Sequence, residues 1–287
     1  MSQIQRIIFP VDFSERCRQI APVVRFWARH FDAAVTVFHS YSAPYGDREF
    51  VVLQEAMHKE LRQIAQNAIR KFAAQELSGL ENVTTVVDEG DPGRVATRLV
   101  QQAPGAMVMM PTHGYGGFRR FLVGSVAGKI LHDVECPVWT APHDETIRCL
   151  QPVAPKVIVC GVDRHRSAIP LIKRAEWLAR KFGATLKLAH ALPAVNESSD
   201  NRGERAVRRH WETRAQQELQ PWIVEAGSKA ELILHGGNIS DALAEVAAVQ
   251  KADLLMIGRG HMRKRLGRLR THSLAIISKS HCPVLSV

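Results

Sequence analysis

The sequence contains itself twice, and this constrains its fold more than any other feature. Residues 6–12 (RIIFPVD) align with residues 156–163 (KVIVCGVD), so that Val11 and Asp12 fall on Val162 and Asp163, an offset of 151. The same offset sets Ala28, Arg29, Phe31, Ala33 and His39 on Ala179, Arg180, Phe182, Ala184 and His190. Toward the end of each half the offset becomes 146. There ECPVWTA (135–141) falls on HCPVLSV (281–287), sharing Cys-Pro-Val. The 287 residues are enough for two domains, each burying its own core. The expected boundaries are 1–143 and 156–287. Residues 144–155, polar and carrying Pro152 and Pro155, would be the linker.

Each half repeats one pattern. Residues 6–11 form a β-rich apolar run, Ser14 offers an N-cap, and Ile20, Val23, Val24, Trp27 and Phe31 recur at helical spacing, with Cys17 one position off that stripe. Strands are expected at 34–40, 82–87, 106–110 and 137–141, and helices at 47–77, 91–102 and 125–133. The second half gives strands near 156–162, 184–191, 230–234, 253–258 and 283–287. Its long helix, 200–226, should kink or end early at Pro221, with Trp211 and Trp222 as packing residues. Alternating strands and helices imply an α/β fold: two tandem doubly wound open parallel sheets, each of about five strands with helices on both faces.

Bulk properties narrow the function classes. No run approaches the roughly 20 apolar residues of a membrane span, and the opening MSQIQRIIFPVD lacks the apolar core of a signal peptide. A cytoplasmic protein without membrane partners is therefore expected. The five cysteines, Cys17, Cys136, Cys149, Cys160 and Cys282, contain no C-x-x-C and are read as reduced small hydrophobes. Residues 1–150 carry 16 basic and 16 acidic side chains, whereas 151–287 carry 22 and 12, so the whole net charge of +10 lies in the second half.

The stretch MPTHGYGGFRRFLVGSVAGK, residues 110–129, follows an apolar strand and leads into a helix. Ligands of open parallel sheets bind beyond the carboxyl ends of the strands, where a following helix offers free N–H groups and the positive end of its dipole. Gly114, Gly116 and Gly117 permit close backbone approach, Ser125 opens the helix either as its cap or as a hydroxyl for phosphate, and Asp12 ends the first strand on the same edge. From these residues alone, a phosphate cradle and an ordinary glycine turn remain equally open. Gly124 to Ile130 is one residue too short for a P-loop and has Ile at the metal-binding position, and no G-x-G-x-x-G follows the first strand.

The residues Pro10-Val11-Asp12-Phe13-Ser14, His39, Thr112-His113-Gly114 with nine residues to Gly124-Ser125, and Cys136-Pro137-Val138 resemble the universal stress protein family in tandem form. The resemblance covers essentially the whole chain as two copies. It implies ATP, with or without Mg²⁺: Asp12 on the ribose, backbone around Val11 and Ser40 on adenine, Gly114, Gly124 and Ser125 on the phosphates, and His113 and Val126 alongside. Pro111 departs from the family pattern at its first glycine, removing one N–H donor and stiffening the loop. The second half departs further: Gly258 and Asp163 remain, but His261 replaces the second glycine and Thr271-His272 replaces Gly-Ser. Weak or no ATP binding is expected there.

Residues 259–270 (RGHMRKRLGRLR) instead gather Arg263, Lys264, Arg265 and Arg268 without an acid. They suit an anion site, a solvated face, or contact with an acidic partner or second copy. No aromatic interleaves them for nucleic-acid stacking. The histidines lack metal-ligand spacing, and His39 and His190 read as hydrogen-bonding partners. The resulting expectation is a homodimeric, ATP-binding regulatory or stress-response protein with a structural or dimerising second half. A slow ATP hydrolase or nucleotidyl-transfer enzyme in the same pocket is the alternative, with no general base evident and no catalytic residue assigned, and a binding module for nucleic acid or another anion is a further one.

Overall fold

Two sets of five parallel strands, identical in order, carry the chain. The computed structural model describes residues 4–42, 51–112, 123–142, 152–193, 202–259 and 268–287. They fall into two units, one of Met1–Ala141 with Leu150–Val153 and the other of Pro142–Cys149 with Ala154–Val287.

In the first unit, β1 (Arg6–Pro10), α1 (Glu15–Phe31), β2 (Ala34–Tyr41), α2 (Val51–Glu76), β3 (Val83–Glu89), α3 (Pro92–Gln101), β4 (Ala106–Met110), α4 (Ser125–Asp133) and β5 (Val138–Thr140) follow in order. Its strands are parallel and arranged β3-β2-β1-β4-β5. The second unit repeats this with β6 (Val157–Gly161), α5 (Ala168–Phe182), β7 (Thr185–Leu192), α6 (Arg202–Glu225), β8 (Glu231–Gly236), α7 (Ile239–Val249), β9 (Leu254–Ile257), α8 (Arg268–Lys279) and β10 (Val284–Ser286), arranged β8-β7-β6-β9-β10. The expected doubly wound α/β fold is thus present in both halves. Central strands covered on both faces carry unbroken apolar runs, as in AMVMM of β4 and LLMI of β9, all buried. β3 and β8 are partly exposed along their length.

Several repeated identities have one local job. α1 ends at Asp32 in the left-handed region, and the Ala33 N–H returns to the Ala28 carbonyl at 2.8 Å. α5 ends at Gly183 with φ +68°, and the Ala184 N–H returns to Ala179 at 2.8 Å. Both closures turn the chain directly into the next strand.

Two expectations fail. Pro221 does not end α6 early: the helix runs to Glu225, and Ala215, Leu219 and Ile223 are buried at four-residue spacing on either side of the proline. Pro221 and Gln217 face water, so the carbonyl deprived of its i+4 donor is solvated. Cys17 is not off the buried stripe: it is 1% exposed, three residues before buried Ile20 and four before buried Ala21, on the same face. Trp211 and Trp222 are only partly buried. α2 is described from Val51, so the expected start at 47 lies outside the described residues.

Asp91 joins two helices. Its Oδ1 accepts from the N–H groups of Gly93 and Arg94 at 3.1 and 3.2 Å, capping α3, and its Oδ2 accepts from Lys129 of α4. A Cβ on Gly93 would stand 3.1 to 3.2 Å from Asp133, Asp91 and Lys129, so glycine permits this approach. The Lys129 hydrogen bond chiefly, with the α3 N–H groups, holds the Asp91 carboxyl below the usual carboxylate range. A depressed folded-state value gives stability that is fully present above the unfolded value of about 4 and is lost as pH falls from there through the lower folded-state value. Asp91→Ala is expected to cost about 1 kcal/mol at pH 7, a difference that narrows below about pH 4, while Asp91→Asn keeps most of the cap. Urea unfolding at the two pH values checks this; an equal gap at both would remove the carboxylate from the account. The second unit uses Asn238 as the α7 cap, bonded to the Ser240 N–H at 3.1 Å.

Candidate functional site

The order β3-β2-β1-β4-β5 reverses direction between β1 and β4, and a crevice forms beyond the carboxyl ends of strands at such a switch. β1 and β4 run level, with Arg6 opposite Ala106 and Ile8 opposite Val108. Asp12 therefore leaves one strand and Pro111-Thr112 the other at the same edge.

The β1–α1 turn is tightly organised. Phe13 takes φ +64°, unusual for a bulky residue, and its ring packs on His39 at 4.6 Å and Phe72 at 6.0 Å between centroids. Asp12 Oδ1 accepts from the Ser14 N–H at 3.0 Å and from the Cys17 thiol at 3.1 Å. Oδ2 has no partner among the described residues. Ser14 occupies the N-cap position of α1, but its side chain does not cap; its hydroxyl sits by the Cys17 thiol without a well-aligned hydrogen bond. Burial first, and then the Asp12 charge, push the Cys17 thiol up to about 12. It is a protonated donor and no nucleophile.

Val11 has both backbone groups engaged. Its N–H donates to the Phe38 carbonyl at 2.9 Å, and its carbonyl lies 2.8 Å from His39 Nδ1, which must carry the proton because a carbonyl only accepts. His190 does the same to Val162 at 2.8 Å, and burial lowers its pKa, so both strand-end histidines serve as hydrogen-bonding partners. Ser40, near the end of β2, is partly exposed and lies opposite Asp88 of β3.

On the other flank, Pro111 is partly exposed, Thr112 is 1% exposed, and the Thr112 carbonyl accepts from the Gly124 N–H at 2.9 Å. That bond ties together the two ends of a segment whose middle, including His113 and Gly114, lies outside the described residues. Gly124 is the N-cap of α4, and the first intrahelical bond is Gly128 N–H to Gly124 at 2.8 Å. The N–H groups of Ser125, Val126 and Ala127 thus have no acceptor among the described residues, as expected for a helix start. Ser125 is exposed as the first helical residue rather than the cap, and Val126 is 44% exposed. Thr112 Oγ1 is buried without a hydrogen-bond partner among the described residues. Sequence reasoning placed Thr112 in the loop motif without giving its side chain a role, and it missed the Cys17 contact, since Cys17 belongs to no motif.

The second unit is built differently at this edge. α5 begins at Ala168, the counterpart of Cys17, so no thiol reaches Asp163, whose exposed carboxylate makes no hydrogen bond among the described residues. Arg164 replaces Phe13 and lies over Trp211 at 5.7 Å, with Arg214 also over that ring at 5.9 Å. Glu218 takes both guanidiniums, at 3.4 and 2.9 Å, and the Arg214 bond chiefly lowers its pKa. The Arg259 N–H is committed to Val287 at 2.8 Å. Arg263, Lys264 and Arg265 lie outside the described residues, as does the side chain of Arg268, the first residue of α8. Among the described residues no group of His, Cys, Asp and Glu has metal-binding geometry, and no helix is long and apolar enough to cross a membrane.

Comparison with known proteins follows the same division. The profile of the universal stress protein family matches residues 3–142 and again 155–287. A universal stress protein of Methanocaldococcus jannaschii is 24% identical over 135 residues, covering 47% of this chain and 79% of that protein. Among solved structures, a universal stress protein from Archaeoglobus fulgidus superposes with a TM-score of 0.66 at 18% identity, covering 99% of this chain and 98% of the other. A putative universal stress protein from Pseudomonas aeruginosa gives 0.63 at 16% identity, covering 99% and 93%. At these identities the structures speak to the fold.

Proposed function

This chain belongs to the universal stress protein family, and from that membership we propose that its first unit binds ATP as a regulatory ligand while the second serves structure or dimerisation. The observation that carries the reading is the pairing, across the β1/β4 switch, of a half-open carboxylate with an uncapped helix start. Asp12 Oδ2 is an acceptor suited to ribose hydroxyls. The N–H groups of Ser125, Val126 and Ala127 form a concentrated donor set for phosphate, reinforced by the α4 dipole and by the exposed Ser125 hydroxyl. The orphaned Thr112 hydroxyl marks a polar group in want of a partner at the same edge, so the residues present fit the group. Gly114 and His113 complete the phosphate side in this reading. Because Val11 N–H is spent on β2, only the second lone pair of its carbonyl serves adenine, an acceptor matched to an exocyclic amine, with Ser40 beside it.

Isothermal calorimetry of the full chain with ATP and Mg²⁺ tests this. One site per chain, lost on Gly124→Val, is expected, because a branched side chain there obstructs the approach of phosphate to the helix start. Binding unchanged by Gly124→Val removes the reading, and two sites per chain would assign ATP to the second unit also. Pro111→Gly restores an N–H donor. A hydrogen bond to a charged group contributes about 1.5–3 kcal/mol, against about 0.5–1 kcal/mol for ordering an added glycine. The expected net is ATP binding tighter by roughly twofold to seventyfold, and weaker binding would show that the pre-set φ of proline matters more than the donor.

A further inference from the structure

We propose that Cys17 is a positioning residue that aims the Asp12 carboxylate and so sets ribose selectivity in the first unit; the inference rests on the reading of that unit as an ATP site. The chain leaves β1 at Pro10, turns through Asp12 and enters α1 at Glu15, which carries Cys17 back beneath the turn. Its sulfur stands 3.1 Å from Asp12 Oδ1 and 4.0 Å from the Pro10 carbonyl. The side chain is 1% exposed, so the contact is not shared with water.

Two donors converge on one oxygen: the Ser14 N–H, held by the backbone, and the Cys17 S–H, held by the helix. A carboxylate fixed at Oδ1 from two directions cannot rotate, and its second oxygen is presented in one orientation. The thiol keeps its proton, since burial and the neighbouring carboxylate push it up to about 12, so it remains a donor throughout the physiological range. The second unit supplies an internal comparison. Asp163 is retained, Ala168 stands in the place of Cys17, and the carboxylate is exposed with no hydrogen bond among the described residues. The motif aspartate alone therefore does not hold itself in place.

The test compares the full-length protein with Cys17→Ala, which loses the donor, and Cys17→Ser, which keeps one. Calorimetry would use ATP and its 2′-deoxy and 3′-deoxy analogues. A hydrogen bond to a carboxylate predicts that the wild type prefers ATP over the weaker deoxy analogue by on the order of tenfold or more. Cys17→Ala is expected to cut that ratio below about threefold while leaving the deoxy affinity unchanged, and Cys17→Ser to restore most of it. A ratio in Cys17→Ala equal to that of the wild type, or an equal fall for ATP and both analogues, overturns the inference and leaves the ATP reading standing. Absence of ATP binding to the wild type overturns both.

Discussion

Phe72→Ala is expected to lower the stability of the first unit by about 3–5 kcal/mol, the range for removing a buried aromatic ring and leaving a cavity. The ring is 2% exposed and stands 5.9 Å from Phe9 of β1 and 6.0 Å from Phe13, with the Arg18 guanidinium 5.7 Å above it. It is therefore the point at which α2, the central strand and the β1–α1 turn meet. The nearby Arg18–Glu76 pair, at 3.2 Å and with side chains 39% and 25% exposed, contributes at most about 1 kcal/mol. The ring outweighs the ion pair in docking the helix. Urea unfolding reads the loss, and hydrogen exchange should show faster opening of α2 amides with those of α6 unchanged. A change below about 1 kcal/mol would mean that Phe9 and Phe13 close over the space.

Asp12→Ala is expected to weaken ATP binding by about 10- to 100-fold, the equivalent of the 1.5–3 kcal/mol of a hydrogen bond to a charged group. It removes the ribose acceptor and also the oxygen on which the Ser14 N–H and Cys17 thiol converge. Asp12→Asn keeps an acceptor and loses the charge, so its fall should be intermediate. Urea unfolding of both variants separates the lost ligand contact from any loosening of the turn, since Asp12 also accepts from the buried Ser14 and Cys17. Affinity of Asp12→Ala within about threefold of the wild type would dissociate this carboxylate from the ligand.

Some residues declared their role in the sequence and others did not. His39 and His190 were legible because a repeated polar residue closing an apolar strand implies a fixed partner, and both lie 2.8 Å from a carbonyl of the neighbouring strand end. Cys17 was misplaced because an ideal helical stripe drawn through Ile20 to Phe31 says nothing about a turn folding back over the first helical residues. The early end expected at Pro221 fails for a related reason: propensity counts the lost hydrogen bond, while the burial of Ala215, Leu219 and Ile223 keeps the helix docked across it. Thr112 stands in the loop motif, but only the fold shows its hydroxyl buried without a partner among the described residues.

What the sequence determined by itself was the tandem α/β architecture, because hydrophobic periodicity and an internal repeat are properties of order along the chain and survive without knowledge of contacts. It also set Asp12 and Gly124-Ser125 at strand ends and helix starts, since connection rules place these on one edge of a parallel sheet. Only the tertiary structure decided which groups on that edge remain available. Val11 spends its N–H on β2, Asp12 spends Oδ1 on Ser14 and Cys17, and Arg164 turns to Trp211 and Glu218 in the second unit. Hydrogen-bonding capacity is finite and is allotted by neighbours distant in sequence, so the order of residues names the candidates and the fold determines which remain free to bind.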